Sequence, residues 1–199
     1  MIDMSEILQQ KLEQYHEYFT IKHELKVNLS LMPENFQLPE LNELSHHMPY
    51  AFRMASELAD IETKALRPLR HLGEHARELA DFLNHQSRKI DLMMSYILHQ
   101  QDNEEERFTT IEFGGAGLAI KSTTQMTAGE IYQVKIFIEE EASAVFCYAE
   151  VIQCESIDEK HYRVALLLNR IREQDQELLV RASLHLQTRH LKKRNEQAK

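Results

Sequence analysis

Two closely spaced histidine pairs are the first candidates for chemistry in this chain. His71 and His75 are four residues apart in HLGEH, so on a helix both imidazoles would share one face and could hold a metal ion with Glu74. With eleven histidines in the chain, such a pair arises readily by chance, and no third ligand is obvious beyond Glu74. His46 and His47, in SHHMPY, are similar to a phosphate-accepting helix, but no nucleotide-binding segment follows them. We therefore expect no metal site and no kinase-like phosphoacceptor.

Nucleophilic catalysis is also not indicated. Cys147 lies in the apolar run VFCYAEV, where a buried structural thiol is expected rather than a reactive one. The chain has no GxSxG elbow, P-loop or GxGxxG segment, and GGAGLAIK lacks the Lys–Ser/Thr step of a phosphate loop. We expect that the protein is not an enzyme and needs no cofactor.

Glycine is rare in the chain except at one place. Three of the five glycines, Gly114, Gly115 and Gly117, lie in IEFGGAGLAI. Such a cluster is needed where a strand pair turns sharply or approaches another backbone closely, because glycine accepts a positive φ and has no Cβ. A tight turn or β-bulge without a ligand is one interpretation, and a ligand-binding corner is the other.

Composition limits the classes of partner. The formal net charge of −9 argues against nucleic-acid binding, with the basic tail RHLKKRNEQAK as a local exception. No apolar run is long enough to cross a membrane, so no membrane insertion is expected. The N-terminus lacks the pattern of a signal peptide, and the two cysteines form no CxxC pair, so we expect a cytoplasmic protein.

The elements that position these residues follow from hydrophobic periodicity. Apolar residues at helical spacing predict a short amphipathic helix over 4–19, with Ser5 as its cap. Residues 20–32 then alternate apolar and polar side chains, which predicts a half-buried strand. A lone strand cannot satisfy its backbone, so it must pair with strands formed much later in the chain.

A long helical segment follows, from about Pro49 to Gln101. Apolar residues, with one glutamine, recur there at steps of three and four: Leu58, Ile61, Ala65, Leu69, Leu72, Ala76, Leu79, Leu83, Gln86, Ile90, Met93 and Ile97. The pattern is a heptad repeat with one stutter, which spans Pro68. Pro68 and Gly73 predict two helical pieces with a bend near 66–73.

The second piece predicts self-association. A helix over 73–101 would be about 40 Å long at 1.5 Å per residue, whereas a compact sheet domain has a radius of gyration near 13 Å. Its apolar seam therefore needs another surface, and the same seam of a second copy is the interpretation we favour. A bundle packed within one chain is the alternative. The residues predicted to mediate oligomerisation are Leu72, Ala76, Leu79, Leu83, Gln86, Ile90, Met93 and Ile97, with Gln86 fixing the register.

The last part of the chain is rich in β-branched and aromatic residues. Short runs from Arg107 to about residue 171, separated by turn signals, predict an antiparallel barrel. A final helix is predicted from Glu173 to Lys193, and its apolar face is formed by Leu178, Leu179, Ala182, Leu186 and His190.

This part of the chain resembles the PilZ domain, a small bacterial β-barrel that serves as a receptor for cyclic di-GMP. The likeness rests on GGAGL at a strand edge and on the runs that follow it, AGEIYQVKIFI, AVFCYAEVIQC and YRVALLLNRI, before the closing helix. The early strand and the long heptad helix resemble the atypical, tetrameric branch of the family. The resemblance implies an α+β fold: an antiparallel PilZ-like β-barrel completed by the N-terminal strand, with a long heptad-patterned helical insertion and a C-terminal helix.

The family's two ligand motifs can be carried over position by position. An RxxxR segment just before the barrel holds the phosphates, and here Arg107 takes the second arginine position while Asn103 stands at the first. A D/NxSxxG segment caps the guanine edge. With its glycine at Gly115, Thr110 stands at the Asp/Asn position and Glu112 at the Ser position.

These replacements have an electrostatic consequence. A doubly anionic dinucleotide needs bidentate arginines, and the expected ligand site at the entry to the barrel offers one arginine among several glutamates. The degenerate site comprises Arg107, Thr110, Glu112, Gly114, Gly115 and Gly117. We predict that it does not bind cyclic di-GMP by the standard mode. Binding by another route, with Arg163 or Arg170, is the alternative.

The sequence thus predicts three regions: 1–48, a helix and strand joining the barrel; 49–103, a helical stalk for oligomerisation; and 104–199, the PilZ-like barrel and C-terminal helix. The resemblance implies a non-catalytic adaptor that forms a dimer or tetramer and contacts a protein partner in cyclic di-GMP-related signalling, of motility, pilus or virulence type. A genuine cyclic di-GMP receptor with a non-standard site and a helical scaffold protein are the alternatives.

Overall fold

A closed barrel forms the centre of the molecule. The computed structural model describes residues 4–69 and 77–197, and the side chains of 7–61, 64 and 79–192. Its strands are β1 (Thr20–Lys22), β2 (Lys26–Leu31), β3 (Arg107–Gly114), β4 (Gly117–Ser122), β5 (Ile131–Ile138), β6 (Ser143–Ser156) and β7 (Tyr162–Arg170). All pairs are antiparallel, in the order β1-β3-β2-β5-β6-β7-β4, and β3 also pairs with β4, which closes six strands into a barrel.

The N-terminal strand completes this barrel, which confirms the predicted fold class. It is divided into β1 and β2, which lie end to end along β3: Ile21 is opposite Phe113, and Val27 is opposite Phe108. Strand β2 also pairs with β5 along its whole length. The alternation over 20–32 therefore predicted the strand, but not the interruption at residues 23–25, where the period of two continues unbroken.

The barrel interior is filled by side chains that alternate along the strands. Val134 and Ile136 of β5 face Val145 and Cys147 of β6, and all four are fully buried. Helix α5 (Glu173–Gln197) closes the barrel with its apolar face, as its periodicity predicted. Four residues of that face enter the core, Leu178, Leu179, Ala182 and Leu186, whereas His190 is exposed. Burial of this face stabilises α5, since a helix gains most of its stability from packing.

The helical insertion packs on the outside of the same barrel. It comprises α2 (Leu44–His47), α3 (Tyr50–Leu69) and α4 (Arg77–His99). Strand β6 is apolar on both faces: Val145 and Cys147 point into the barrel, whereas Phe146 and Tyr148 point to the helices. A second core forms there from Leu44, Met48, Phe52, Ala55, Met94, Leu98, Phe137, Phe146 and Tyr148.

In the part of the chain that the structure describes, one end of the α3–α4 pair packs on the barrel. Among the described side chains, the buried residues of α3 lie at its beginning (Phe52, Ala55) and those of α4 near its end (Met94, Leu98). The predicted bend at 66–73 lies largely outside the described residues, and α3 includes Pro68 as its penultimate residue. Among the described helices, none has a sufficiently long and apolar stretch to cross a membrane.

Helix α1 (Met4–Glu17) lies against the outer face of β6 and β7. Tyr15 is its deepest residue, packed with Ile152, Ala165 and Leu167, and Leu12 is half-buried beside it. Lys11 forms an ion pair with Glu150 of β6. The amphipathic helix predicted over 4–19 is therefore present, but it ends at Glu17.

Candidate functional site

The clustered glycines lie where β3 ends and β4 begins, and they meet other parts of the chain closely. A Cβ atom at Gly114 would lie 2.4 Å from the carbonyl oxygen of Phe19. A Cβ atom at Gly117 would lie 2.5 Å from both the carbonyl oxygen of Leu166 and the ring of Tyr15. These distances are far inside van der Waals contact, so only glycine fits at either position.

Gly115 lets the C-terminal helix approach the same corner. A Cβ atom there would lie 2.7 Å from Val180 and 2.9 Å from the Tyr18 ring, and the Gly115 carbonyl accepts a hydrogen bond from Gln176 at 3.0 Å. Among the described glycines only Gly129 has a positive φ, of 94°. The cluster therefore permits close backbone approach rather than a left-handed turn, and the space beside it is filled by the chain's own N-terminal segment.

Thr110, at the family's Asp/Asn position, bridges the break between β1 and β2. Its hydroxyl accepts a hydrogen bond from the Leu25 N–H at 2.8 Å and donates one to the His23 carbonyl at 2.7 Å. Its own N–H donates to the Leu25 carbonyl at 3.0 Å. These bonds replace ladder bonds that the interruption removes. The side chain is buried and directed at backbone, not at an open site.

Glu112, at the family's Ser position, belongs to an ion pair on the outer barrel face. Arg163 of β7 donates to its carboxylate, and the Tyr15 hydroxyl donates to the same oxygen at 3.1 Å. Burial raises the pKa of Tyr15, and the negative charge of Glu112 raises it further, so the hydroxyl remains a donor. Within the described chain, the Arg163 guanidinium therefore already has Glu112 as its ion-pair partner.

Arg107 is likewise occupied within the chain. Its Nε lies 3.1 and 2.9 Å from the two carboxylate oxygens of Asp102, and Asn28 donates to the same carboxylate at 3.0 Å. Burial raises the pKa of Asp102, but the hydrogen bonds from Arg107 and Asn28 outweigh this and hold it below its ordinary value. The pair fixes the entry into β3 against β2.

Arg170 holds the loop that follows β2. Its Nε donates to the Pro39 carbonyl at 3.1 Å, and its Nη1 donates to the Asn169 carbonyl at 3.0 Å. Both arginines considered for a non-standard ligand route, Arg163 and Arg170, therefore have internal partners.

The fold also determines which segment precedes the barrel. The chain enters the barrel at Thr20, so the residues just before it are those of α1 and the short link after it. The described part of this segment contains Lys11 and no arginine. Asn103 and Arg107 instead follow the helical insertion and lead into β3. Arg107 therefore precedes β3, whereas the first barrel strand begins at Thr20, and the assignment of the arginine motif to Arg107 stays a prediction.

The residues predicted to mediate oligomerisation occupy two environments on α4. Four of them form an exposed line, with 41–66% of their surface accessible: Leu79, Ile90, Met93 and Ile97. Leu83 and Gln86 are half-buried and line a groove between α4 and α3, at whose edge Ile90 also lies. Leu72 and Ala76 lie outside the described residues.

Two features of α4 were not found from the sequence. Phe82 is 57% exposed and extends the same line of apolar residues, which we call the α4 stripe: Leu79, Phe82, Ile90, Met93 and Ile97. On an adjoining side of α4, Met94 and Leu98 are buried against the barrel. Apolar residues at both i+3 and i+4 steps signalled a wide apolar surface, and two distinct faces account for it.

The candidate catalytic and metal-binding residues are placed as follows. Cys147 is fully buried inside the barrel, and burial raises the pKa of its thiol, with the negative charge of Asp175 adding to it. His47 Nδ1 lies 3.2 Å from the Tyr148 hydroxyl. The pair at 71 and 75 lies outside the described residues. Within the described ranges, no group of three or more His, Cys, Asp or Glu side chains could hold a metal ion.

Comparison with known proteins defines the class. The family model of the PilZ domain matches residues 83–185, just over half of the chain. The chain therefore belongs to the PilZ domain family, and it is an atypical member because helices are inserted between two neighbouring barrel strands. PilZ domains are receptor and adaptor domains, and membership supports a role in signalling related to cyclic di-GMP. No curated protein sequence matches the chain.

Comparison with solved structures finds several similar chains. A pathogenic protein of Xanthomonas campestris, described as a tetrameric PilZ domain self-assembled via an unusual helical bundle, is 14% identical with a TM-score of 0.58; the match covers 96% of this chain and 99% of that one. The Bacillus subtilis inhibitor of motility MotI/DgrA is 12% identical with a TM-score of 0.46, covering 87% and 51%. The PilZ domain of Escherichia coli YcgR, with c-di-GMP, is 14% identical with a TM-score of 0.38, covering 47% and 82%.

Proposed function

We propose that this chain is a non-catalytic PilZ adaptor that self-associates through α4 and acts by protein–protein contact in cyclic di-GMP-related signalling. The proposal includes the stalk predicted over 49–103, between an N-terminal part and the barrel. It also includes the cytoplasmic location predicted from the sequence, and a partner in motility, pilus or virulence control.

The observation that carries this proposal is the α4 stripe. Helix α4 already buries Met94 and Leu98 against the barrel, yet the stripe residues remain at least two-fifths exposed. Burial of one such side chain contributes about 1.5–3 kcal/mol. Five of them on one line give a driving force that exceeds what isolated surface apolar residues provide, and contiguous apolar patches of this kind typify interfaces.

A second copy of the stripe is a suitable occupant. Its residues follow one another at steps of three or four, with Gln86 between Phe82 and Ile90, as in helices that pack side by side. The Xanthomonas campestris protein, which shares this fold, is described as assembling through a helical bundle. This supports helix-mediated assembly of the present chain.

An adaptor role, rather than a ligand-controlled one, is supported by the paired charges at the degenerate ligand site. Arg107 and Arg163 each bind a carboxylate of the chain, and Thr110 binds backbone. Phosphates would have to replace Asp102 and Glu112 at these arginines, and leaving a half-buried carboxylate unpaired is unfavourable.

Self-association is tested by changing Ile90 and Ile97 together to glutamate and measuring molar mass by light scattering. Both side chains are exposed within one chain, so the helix should still form while the assembly dissociates to lower mass. Ile157→Glu is the matched control, because Ile157 is 51% exposed but lies after β6, far along the chain from α4. A wild-type mass of 23.4 kDa, or an unchanged mass in the double variant, would contradict the proposal.

The ligand prediction has a separate test. Calorimetry of the wild-type protein with cyclic di-GMP should show no binding with a dissociation constant below about 10 μM. If binding is observed, Arg163→Ala and Arg107→Ala determine whether either guanidinium carries it. That outcome would favour the alternative of a receptor with a non-standard site.

A further inference from the structure

The outer face of α5 carries a second line of exposed apolar residues. Tyr18, Phe19, Leu184 and Leu191 are between 39% and 53% exposed, and Val180 lies beside Tyr18. We call these five residues the α5 strip. Its helical members are four and seven residues apart and so lie along one side of α5. The opposite side of the same helix closes the barrel, so this line is additional to the core.

Two shallow grooves lie along the α5 strip, between the helix and the chain that enters β1. Tyr18 and Leu184 line the first groove, together with Glu173 and Glu177 near the start of α5 and with Arg181 and His185 beside Leu184. Phe19 and Leu191 line the second, together with Lys22 and His190. Among the residues that line the two grooves, the carboxylates therefore lie at the end where α5 begins, and the basic side chains lie closer to the end where it finishes.

Two opposite charges, Glu177 and Lys192, lie at similar distances on either side of Leu184. Glu177 precedes Leu184 by seven residues and Lys192 follows it by eight, so each lies about 10–12 Å from it along the helix axis. Both side chains are exposed. Within the described side chains, the ion pairs of α5 to the barrel use His185 and Arg189, and neither Glu177 nor Lys192 takes part in one.

We propose that a second copy of this chain docks on the α5 strip, with the two α5 helices antiparallel about a two-fold axis near Leu184. Glu177 of one copy then faces the partner's Lys192, and the symmetric contact repeats this pair. A parallel alignment would place like charges together. The apolar residues meet at the centre, and the charged residues flank them, as in the core and rim of an interface.

This interface lies on a different helix from the α4 stripe, so it goes beyond the proposed function. A chain with two separate self-complementary surfaces forms a closed tetramer if the two axes are compatible. The inference therefore favours a tetramer over a dimer, a choice that the sequence left open.

The test uses the full chain with Ile90→Glu and Ile97→Glu, so that α4 no longer contributes. Sedimentation velocity from about 1 to 100 μM should show a monomer–dimer equilibrium, as expected for a small interface. Adding Leu184→Glu should weaken dimerisation at least about tenfold, because a charge is buried at the axis. Adding Ile157→Glu instead should leave the equilibrium unchanged.

A charge exchange tests the antiparallel orientation. In the same background, Glu177→Lys and Lys192→Glu should each raise the dissociation constant about fivefold, because two symmetric pairs are replaced by like charges. The two changes combined should restore it. Failure of the combined variant to recover would overturn the antiparallel arrangement.

Failures of the two proposals are distinguishable. If the Ile90, Ile97 variant sediments as single chains at all concentrations, the α5 proposal is overturned, while dissociation relative to wild type still supports the α4 stripe. If mass is insensitive to the α4 changes but falls with Leu184→Glu, the proposed function fails and the α5 proposal stands. If the monomeric protein instead binds a different protein, and Leu184→Glu abolishes that binding, a second copy is not the occupant of the α5 strip.

Discussion

The barrel and the α3–α4 pair use apolar residues in different ways. In the barrel, Val134, Ile136 and Val145 are completely enclosed by the chain itself. In α4, Met93 is two-thirds exposed, while its neighbour Met94 is buried. The barrel therefore completes its own core, whereas the described part of the helical pair packs on the barrel at one end and leaves apolar side chains of α4 exposed. Apolar residues thus fill a closed core in one region and form an exposed line in the other.

The largest expected effect separates these two regions directly. Ile136→Ala creates a cavity inside the barrel and should lower the free energy of unfolding by about 3 kcal/mol. Met93→Ala removes an exposed side chain and should change it by less than about 0.5 kcal/mol. Urea denaturation measures both, in the Ile90→Glu, Ile97→Glu, Leu184→Glu background so that neither proposed interface contributes. If the two variants lose the same free energy of unfolding, the barrel and α4 do not differ in how they pack their apolar residues.

Gly117→Ala tests how tightly the barrel corner is closed. The new methyl group would overlap the Leu166 carbonyl and the Tyr15 ring, so we expect a loss of about 2 kcal/mol and loosening of α1. Limited trypsin cleavage after Lys11 reports the loosening. At Gly129 no atom lies within 4 Å of an added Cβ, so Gly129→Ala should strain φ but leave α1 in place. If both variants resist trypsin as well as the wild-type protein does, Gly117 does not have this packing role.

Thr110→Val removes the hydroxyl that bridges β1 and β2 while keeping the side-chain shape. The Leu25 N–H and the His23 carbonyl lose their partner, which should cost about 1–2 kcal/mol. Thr110→Ser retains the hydroxyl and should lose much less. Urea denaturation compares the three proteins, and a Val variant as stable as the Ser variant would show that the bridge is dispensable.

The smallest expected effect depends on pH. Since the pKa of Asp102 in the folded state lies below its ordinary 3.8, the ionised carboxylate stabilises the fold above about pH 4. This contribution is lost as the pH falls through the folded-state pKa. Asp102→Asn should therefore show a shallower fall in the free energy of unfolding between about pH 5 and pH 3 than wild type does.

Glu104→Gln is the control for this pH dependence, because Glu104 is an exposed partner of the same Arg107 and lies 3.5 Å from it. Its pH profile should follow that of wild type. Parallel profiles for wild type and Asp102→Asn would mean that the Asp102–Arg107 pair does not couple folding to proton binding.

The sequence predicted the elements well because each has its own periodicity. The early strand, the heptad helix and the closing face of α5 all follow from spacing within one segment. The interruption between β1 and β2 did not, because it depends on the Thr110 hydroxyl, which is contributed by a strand far along the chain.

The candidate site was less predictable for the same reason. Glu112 and Arg163 are matched only when β3, β4 and β7 take their register, and Arg107 meets Asp102 only after the 3₁₀ turn at Glu104–Glu106. The charges counted in the sequence predicted an acidic ligand site. In the fold, the carboxylates of Asp102 and Glu112 are instead paired with Arg107 and Arg163. Both descriptions make an anionic ligand unfavourable at Arg107 and Arg163, but the second rests on specific pairs.

The position of the helical insertion has a consequence for the order of synthesis. Strands β2 and β3 are neighbours in the barrel, yet residues 32–106 separate them in the chain. During translation α3 and α4 leave the ribosome before β3 and β5 exist, so β2 waits without either of its two barrel neighbours. Closing a loop of this length has an entropic cost, so we expect the pairing of β2 with β3 to be among the slower steps of folding.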